Sequence, residues 1–160
     1  MQRGTLRRRE LYDKITLKTK EIIGGCLKAV IVFGSTIYLG KGKDVDIIIV
    51  TDKEVSMKKK LKLEYEVKCA LQREIPKFTF DVHVFSLEEF KENLRPGTPL
   101  SGLALGYETI WGEQVVEQLI LNFLKRLSKE RYILHNEYGA WNLGFHAQVT
   151  YKLKARRLRK

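Results

Sequence analysis

Apolar positions recur along this chain at two spacings, and the change from one to the other marks out its elements. Between residues 5 and 23, Leu11, Tyr12, Ile15, Thr19, Ile22 and Ile23 lie on one helical face; Thr5 is placed to cap that helix and Gly24-Gly25 to end it. Residues 27–33 (LKAVIVF) and 45–50 (VDIIIV) are short, nearly continuous apolar runs rich in β-branched side chains, the pattern of central strands buried on both faces. The segment joining them is shorter than the dozen or so residues that a parallel crossover requires, so the two strands pair antiparallel. A turn of helix around Ser35 to Leu39 and a bend at Gly40 and Gly42 complete the connection.

Residues 54–75 fit both alternation and helical spacing; their Lys, Glu and Leu content favours helix, which Pro76 ends. Residues 78–85 (FTFDVHVF) then alternate as a third strand, with Phe78, Phe80, Val82 and Val84 on one side and Thr79, Asp81, His83 and Phe85 on the other. Ser86 and Glu89 have the spacing of a capping box for a short helix. A loop over 95–102, a second short helix and an edge strand at 107–111 (YETIW) follow. From Glu113, residues Val115, Val116, Leu119, Ile120, Phe123, Leu124 and Leu127 define an amphipathic helix. Beyond Gly139 the apolar positions alternate, while Phe145, Val149 and Leu153 also sit at helical spacing; the reading leans to helix. The sum is an α/β domain of the α+β type: a mixed sheet with an antiparallel first strand pair, flanked by helices, in a unit covering residues 1–112, and a basic C-terminal helical extension over 113–160.

With 160 residues, 44% hydrophobic and 31% charged, the chain is long enough for one packed core and has no disordered composition. A net charge of +11 points to a polyanionic partner, nucleic acid first and an acidic membrane surface second. The excess gathers at the ends: Arg3, Arg7, Arg8 and Arg9 at one, and Lys152, Lys154, Arg156, Arg157, Arg159 and Lys160 at the other. Solvated termini would show the same runs. Cys26 and Cys69 lack the spacing of a zinc site or a disulfide framework and are expected to be buried and reduced. No apolar run is long enough to span a membrane and the start has no signal-peptide core, so the expected compartment is the cytoplasm.

Candidate chemistry lies at the strand ends. Asp44 and Asp46, two apart at the start of a strand, project two carboxylates from one face. Hard divalent cations take such oxygen ligands, and a solvated turn would place the same residues there. Asp81 stands on the polar face of the third strand among apolar neighbours, either as a further ligand or in a salt bridge to one of the many lysines. Three carboxylates on adjacent strands suit two metal ions clamping an in-line phosphoryl displacement. Gly34 and Ser35, where the first strand ends and a helical turn opens, are placed to receive a phosphate, and Lys41 and Lys43 flank the same loop.

The ordered set FGSTIYLGKGKDVDIIIV (33–50), FTFDVHVFSLEEF (78–90) and GYETIWG (106–112) resembles the minimal nucleotidyltransferases of the DNA-polymerase-beta-like superfamily, over roughly residues 25–112. The resemblance implies that Gly34 and Ser35, with Lys43 beside them, bind the triphosphate of an NTP, ATP being the expected one. It implies that Asp44 and Asp46 hold two Mg²⁺ ions (or Mn²⁺), and that Asp81 shares in metal binding and activates the acceptor hydroxyl. NMP would pass from the NTP to an acceptor on RNA or DNA held by the basic ends. Within the same family the acceptor can instead be a protein, as for the antitoxin of a toxin–antitoxin pair acting on its toxin partner. A catalytically silent nucleic-acid-binding protein of this fold is the alternative of a different class. The segment from Ser35 to Asp44 is somewhat shorter than is usual for the family, which makes the turn tighter.

Overall fold

A computed structural model of the chain describes residues 7–34, 37, 42–136 and 139–158. Its elements are α1 (Arg8–Ile23), β1 (Leu27–Phe33), β2 (Asp44–Thr51), α2 (Met57–Glu74), β3 (Thr79–Ser86), α3 (Leu87–Asn93), β4 (Tyr107–Trp111), α4 (Glu113–Leu127), β5 (Ile133–Asn136), β6 (Gly139–Asn142) and α5 (Leu143–Leu158). A 3₁₀ turn (Gly24–Cys26) separates α1 from β1, and a 3₁₀ segment (Pro99–Leu105) precedes β4. The main sheet has the order β3-β2-β1-β4; β1 pairs antiparallel with β2 and β4, and β2 pairs parallel with β3. The mixed α/β architecture matches the expectation, the first pair antiparallel as the short connection requires.

The two inner strands carry apolar side chains on both faces because helices cover both. Val30, Val32, Ile47, Ile49, Val82 and Val84 pack with Ile15 of α1 and Val67 and Leu71 of α2. On the other side Ile31, Phe33, Ile48 and Val50 meet Phe90 of α3, Leu100 and Leu103 of the 3₁₀ segment, Ile120 and Phe123 of α4, and Ala147 of α5. Each Val, Leu, Ile or Phe side chain among them, when fully buried, contributes about 1.5–3 kcal/mol. One core thus draws on residues to either side of position 112.

Local signals explain most of the boundaries. Ser86 caps α3 as a capping box, with Glu89 N–H donating to Ser86 Oγ at 3.1 Å and Ser86 N–H to Glu89 Oε1 at 3.5 Å. Ser56 Oγ accepts from Lys59 N–H at 3.2 Å to start α2. Between β4 and α4, Gly112 has φ +75°, and a Cβ there would run into the carbonyl of Lys28 on β1, so glycine is the side-chain-free hinge that lets α4 fold back onto the sheet.

Several expectations need correcting. The first helix is described from Arg8, with Arg7 at its cap donating N–H to Glu10 Oε2 at 3.4 Å; Thr5 lies outside the described residues, as do Ser35, Tyr38, Leu39, Gly40 and Lys41 of the β1–β2 connection. The loop expected over 95–102 already contains 3₁₀ helix from Pro99, a position that favours proline at a helix start. Cys26 and Cys69 are free thiols, partly exposed rather than buried. The tail begins with the β5–β6 hairpin before α5, and α5 turns Leu143, Gly144, Ala147 and Thr150 inward while Phe145, Val149 and Leu153 stay exposed. Among the described residues no helix is long and apolar enough to cross a membrane.

Candidate active site

The register of the main sheet carries one row of side chains across its width. Asp46 pairs with Asp81 on one side and with Phe33 on the other, and Phe33 pairs with Tyr107. Register partners share a face, so the row reads Asp81, Asp46, Phe33, Tyr107 from β3 to β4: two carboxylates, then two aromatic rings. Asp44, two residues before Asp46, lies on the same face one step nearer the strand's start, opposite Thr79. The three expected carboxylates therefore belong to one face at one end of the sheet. β2 and β3 are locked there by the parallel ladder, which extends past its end where Thr79 N–H donates to the Lys43 carbonyl at 2.7 Å.

Their surroundings differ. Asp46 is half-buried, and its pKa is raised first by burial and then by the charge of Asp81, with Asp44 adding to it and His83 working against it. Asp44 is exposed at the sheet end. Asp81 is 66% exposed, not enclosed by apolar neighbours as expected, because β3 is an edge strand. Its Oδ2 meets His83 Nε2 at 3.3 Å, so its partner is the histidine two residues along the same face and not a lysine.

Gly34 stands at the end of β1 with φ +91°, a backbone state that L side chains rarely adopt. A Cβ there would collide with Asp46 Oδ2, so the missing side chain is what leaves room for the carboxylate. From this point the chain turns: Ile37 N–H donates to the Gly34 carbonyl at 3.1 Å. Ser35 and Lys41 are outside the described residues, and Lys43 is exposed just before Asp44.

Hard carboxylate oxygens make up the donor set, which suits Mg²⁺ or Mn²⁺ and does not suit a soft metal. Among the described residues no group of three or more His, Cys, Asp or Glu side chains is gathered closely enough to hold a metal ion. An ion that takes one or two carboxylates here and completes its shell with phosphate and water oxygens is compatible with that arrangement. Beside this row, past Phe33, a cleft of ≈ 250 Å³ opens between Ile37, the start of β4 and α5; Leu105, Tyr107, Val149, Leu153, Lys154 and Arg157 help line it. Sequence reasoning did not locate this cleft, since its walls are distant in the chain; the helical spacing of Phe145, Val149 and Leu153 was its one trace.

No protein-family model matches the chain, and no curated protein matches it. Solved structures do. The chain is similar to one in the complex of a tri-AMPylated Shewanella oneidensis HEPN toxin with MNT antitoxin, at 15% identity and a TM-score of 0.50, over 77% of this chain and 88% of that one. A toxin–antitoxin structure with AMP-PNP gives 15% identity and a TM-score of 0.49 over 73% and 87% of the two chains, and the MntA–HepT toxin–antitoxin gives 16% and 0.46 over 78% and 92%. At 15% identity the first of these likenesses, with its TM-score of 0.50, is one of fold alone.

Proposed function

We propose that this protein is a divalent-metal-dependent nucleotidyltransferase that moves NMP from an NTP, ATP in the first instance, to an acceptor hydroxyl with release of pyrophosphate. The observation that carries the reading is the fit of Gly34 against Asp46, with Asp81 as the cross-strand partner of Asp46 on the same face. A strand end that presents a side-chain-free backbone turn beside paired carboxylates is a place for a triphosphate and its counter-ion.

Asp44 and Asp46 would hold Mg²⁺ or Mn²⁺, with Asp81 contributing; when bound, the ion neutralises charge on the transferring phosphate. Gly34 lets the triphosphate approach the backbone, and Lys43 adds positive charge at the entrance. Asp81, the most exposed of the row, faces an incoming acceptor and takes the proton of its hydroxyl as the new O–P bond forms and the bond to the bridging oxygen of pyrophosphate breaks. His83 holds the Asp81 carboxylate in place from the same strand face.

The net charge of +11 favours an acceptor hydroxyl on nucleic acid. A protein hydroxyl is the second reading, supported by the fold likeness to a structure in which an MNT antitoxin accompanies a tri-AMPylated toxin. The test is incubation with each α-labelled NTP, Mg²⁺ or Mn²⁺, and either bulk RNA or cell lysate, following label into nucleic acid and into protein separately. Asp44→Asn and Asp46→Asn should lose NTP binding and transfer together, whereas Asp81→Asn should keep part of the binding and lose transfer. Label in neither fraction, with no metal-dependent NTP binding by calorimetry, would overturn the reading and leave a non-catalytic binding protein.

A further inference from the structure

Helix α5 presents three large apolar side chains to solvent. Beyond Leu143, which is buried at its start, and the partly buried Tyr151, its inward face is made of small residues: Gly144, whose Cβ would strike the Glu130 carbonyl, Ala147, and Thr150, which donates Oγ1–H to the Ala104 carbonyl at 2.7 Å. Phe145, Val149 and Leu153, successive at i and i+4, are 59%, 42% and 57% exposed and form one stripe. Cations flank it on both sides, Lys152 and Arg156 on one and Lys154 and Arg157 on the other, and the helix contains no acidic residue. Val149 and Leu153 of the stripe help form one wall of the 250 Å³ cleft, whose lining also includes Ile37 of the turn that begins at Gly34.

Glu108 on β4, in the cleft lining, pairs with Lys154 at 3.4 Å and Arg157 at 3.3 Å, so this acidic group is already matched by cations. Cations alternating with aromatic and aliphatic side chains are what a flexible polyanion with flat rings engages: phosphates take the charges and bases take the apolar surface. The size of the cleft selects further. At 250 Å³ it falls below the roughly 300–1,000 Å³ of sites that enclose a whole small-molecule ligand, so it suits one base and not an entire NTP.

We propose that single-stranded nucleic acid lies along α5, with phosphates on Lys152, Arg156 and Arg157 and one base seated in the cleft beside Ile37. This rests on the nucleic-acid form of the proposed function and gives it a surface: a strand held there delivers its end toward Asp81 and Asp46.

The test is fluorescence anisotropy with a labelled single-stranded RNA, the same sequence as DNA, and an RNA duplex, using the full chain without metal or NTP across a salt titration. Single strands should bind more tightly than the duplex, and the RNA and DNA arms decide which sugar is preferred. Lys152→Glu with Arg156→Glu should weaken binding ten-fold or more and lower the salt slope by at least about 1.4, at about 0.7 for each cation lost to a single strand. Val149→Trp, which fills the cleft, should weaken binding with the slope unchanged; Leu153→Gln, which removes apolar wall without adding bulk, does the same if the larger side chain disturbs folding. Lys58→Glu with Lys59→Glu on α2 is the control for charge alone and should change binding less than two-fold. Asp46→Asn should bind like the parent, so that loss of transfer and loss of this surface are told apart. Equal weakening by the α2 pair, duplex binding as tight as single-strand binding, or no binding to any of the three nucleic acids would overturn the proposal; the last would turn the stripe toward a protein partner.

Discussion

Replacing Gly34 with alanine adds one methyl group where the structure has room for none. Two costs follow from separate causes. The first is conformational: with φ at +91°, a residue bearing a Cβ is held in a sparsely populated region at a cost of about 1–3 kcal/mol. The second is steric, since the new Cβ would collide with Asp46 Oδ2 and stand 3.2 Å from its Cγ. Because β1 up to Phe33 and β2 are each paired on both sides, the carboxylate is the part that moves, by on the order of 1 Å, and in the proposed transfer a misplacement of that size would cost roughly 10²-fold in rate. In free energy that is about 2.7 kcal/mol of transition-state stabilisation at about 1.36 kcal/mol per decade. The conformational cost lowers the melting temperature by roughly 2–4 °C per kcal/mol in a chain of this length. The two causes separate in a double-mutant cycle of Gly34→Ala with Asp46→Ala. Removing the carboxylate relieves the collision but leaves the strained φ, so the double variant should be more stable than the sum of the singles, by about 0.5–3 kcal/mol for groups in contact. The assay is urea denaturation of all four proteins, together with metal-dependent NTP binding by calorimetry for the parent and Gly34→Ala. Additive stabilities, or an alanine variant that binds NTP as the parent does, would refute the claim that this glycine exists to seat Asp46.

Two further outcomes follow from the same coordinates. Glu117, buried in α4, accepts from Tyr107 Oη at 2.6 Å and Thr109 Oγ1 at 3.1 Å, and burial, together with pairing to this carboxylate, raises the Tyr107 pKa; Glu117→Ala should therefore cost about 3–6 kcal/mol, from two hydrogen bonds to a charged group at about 1.5–3 kcal/mol each, and an unchanged urea midpoint would contradict it. For Asp46 the folded-state pKa lies above the ordinary 3.8, so the native state holds the proton more tightly than the unfolded chain and stability falls as pH rises through the interval between the two values. In protein stripped of metal with EDTA, Asp46→Asn should thus be more stable than the parent at neutral pH, with the advantage fading in acid below the carboxylate range; thermal melts that show the opposite order would refute the assignment.

What the sequence disclosed and what it hid divide along physical lines. Strands β1 and β2 could be read because helices cover both faces of the sheet, which requires an uninterrupted apolar run, and their antiparallel pairing followed from the length of the connection alone. The alternation of β3 placed Asp81 and His83 on one face correctly, yet not their exposure: that depends on β3 being an edge strand, and strand order is a long-range property no local window contains. The same holds for the row from Asp81 to Tyr107, since β4 reaches β1 only through packing of the 3₁₀ segment and α4. The β5–β6 hairpin went unread because its residues are largely exposed and carry little apolar contrast. Helix α5 is the more instructive failure. Hydrophobic periodicity assumes that the large apolar side chains mark the inward face, but close approach of α5 to α4 and the 3₁₀ segment selects small residues there, and Gly144, Ala147 and Thr150 carry almost no hydropathic signal. The periodic signal of Phe145, Val149 and Leu153 was therefore real and belonged to the opposite face. A helix that, past its first turn, spends small residues on the core and leaves Phe145, Val149 and Leu153 on solvent exposes apolar area with no role in its own folding, and that area acquires a role when something else covers it. Four cations on the same helix make a polyanion the physically consistent cover.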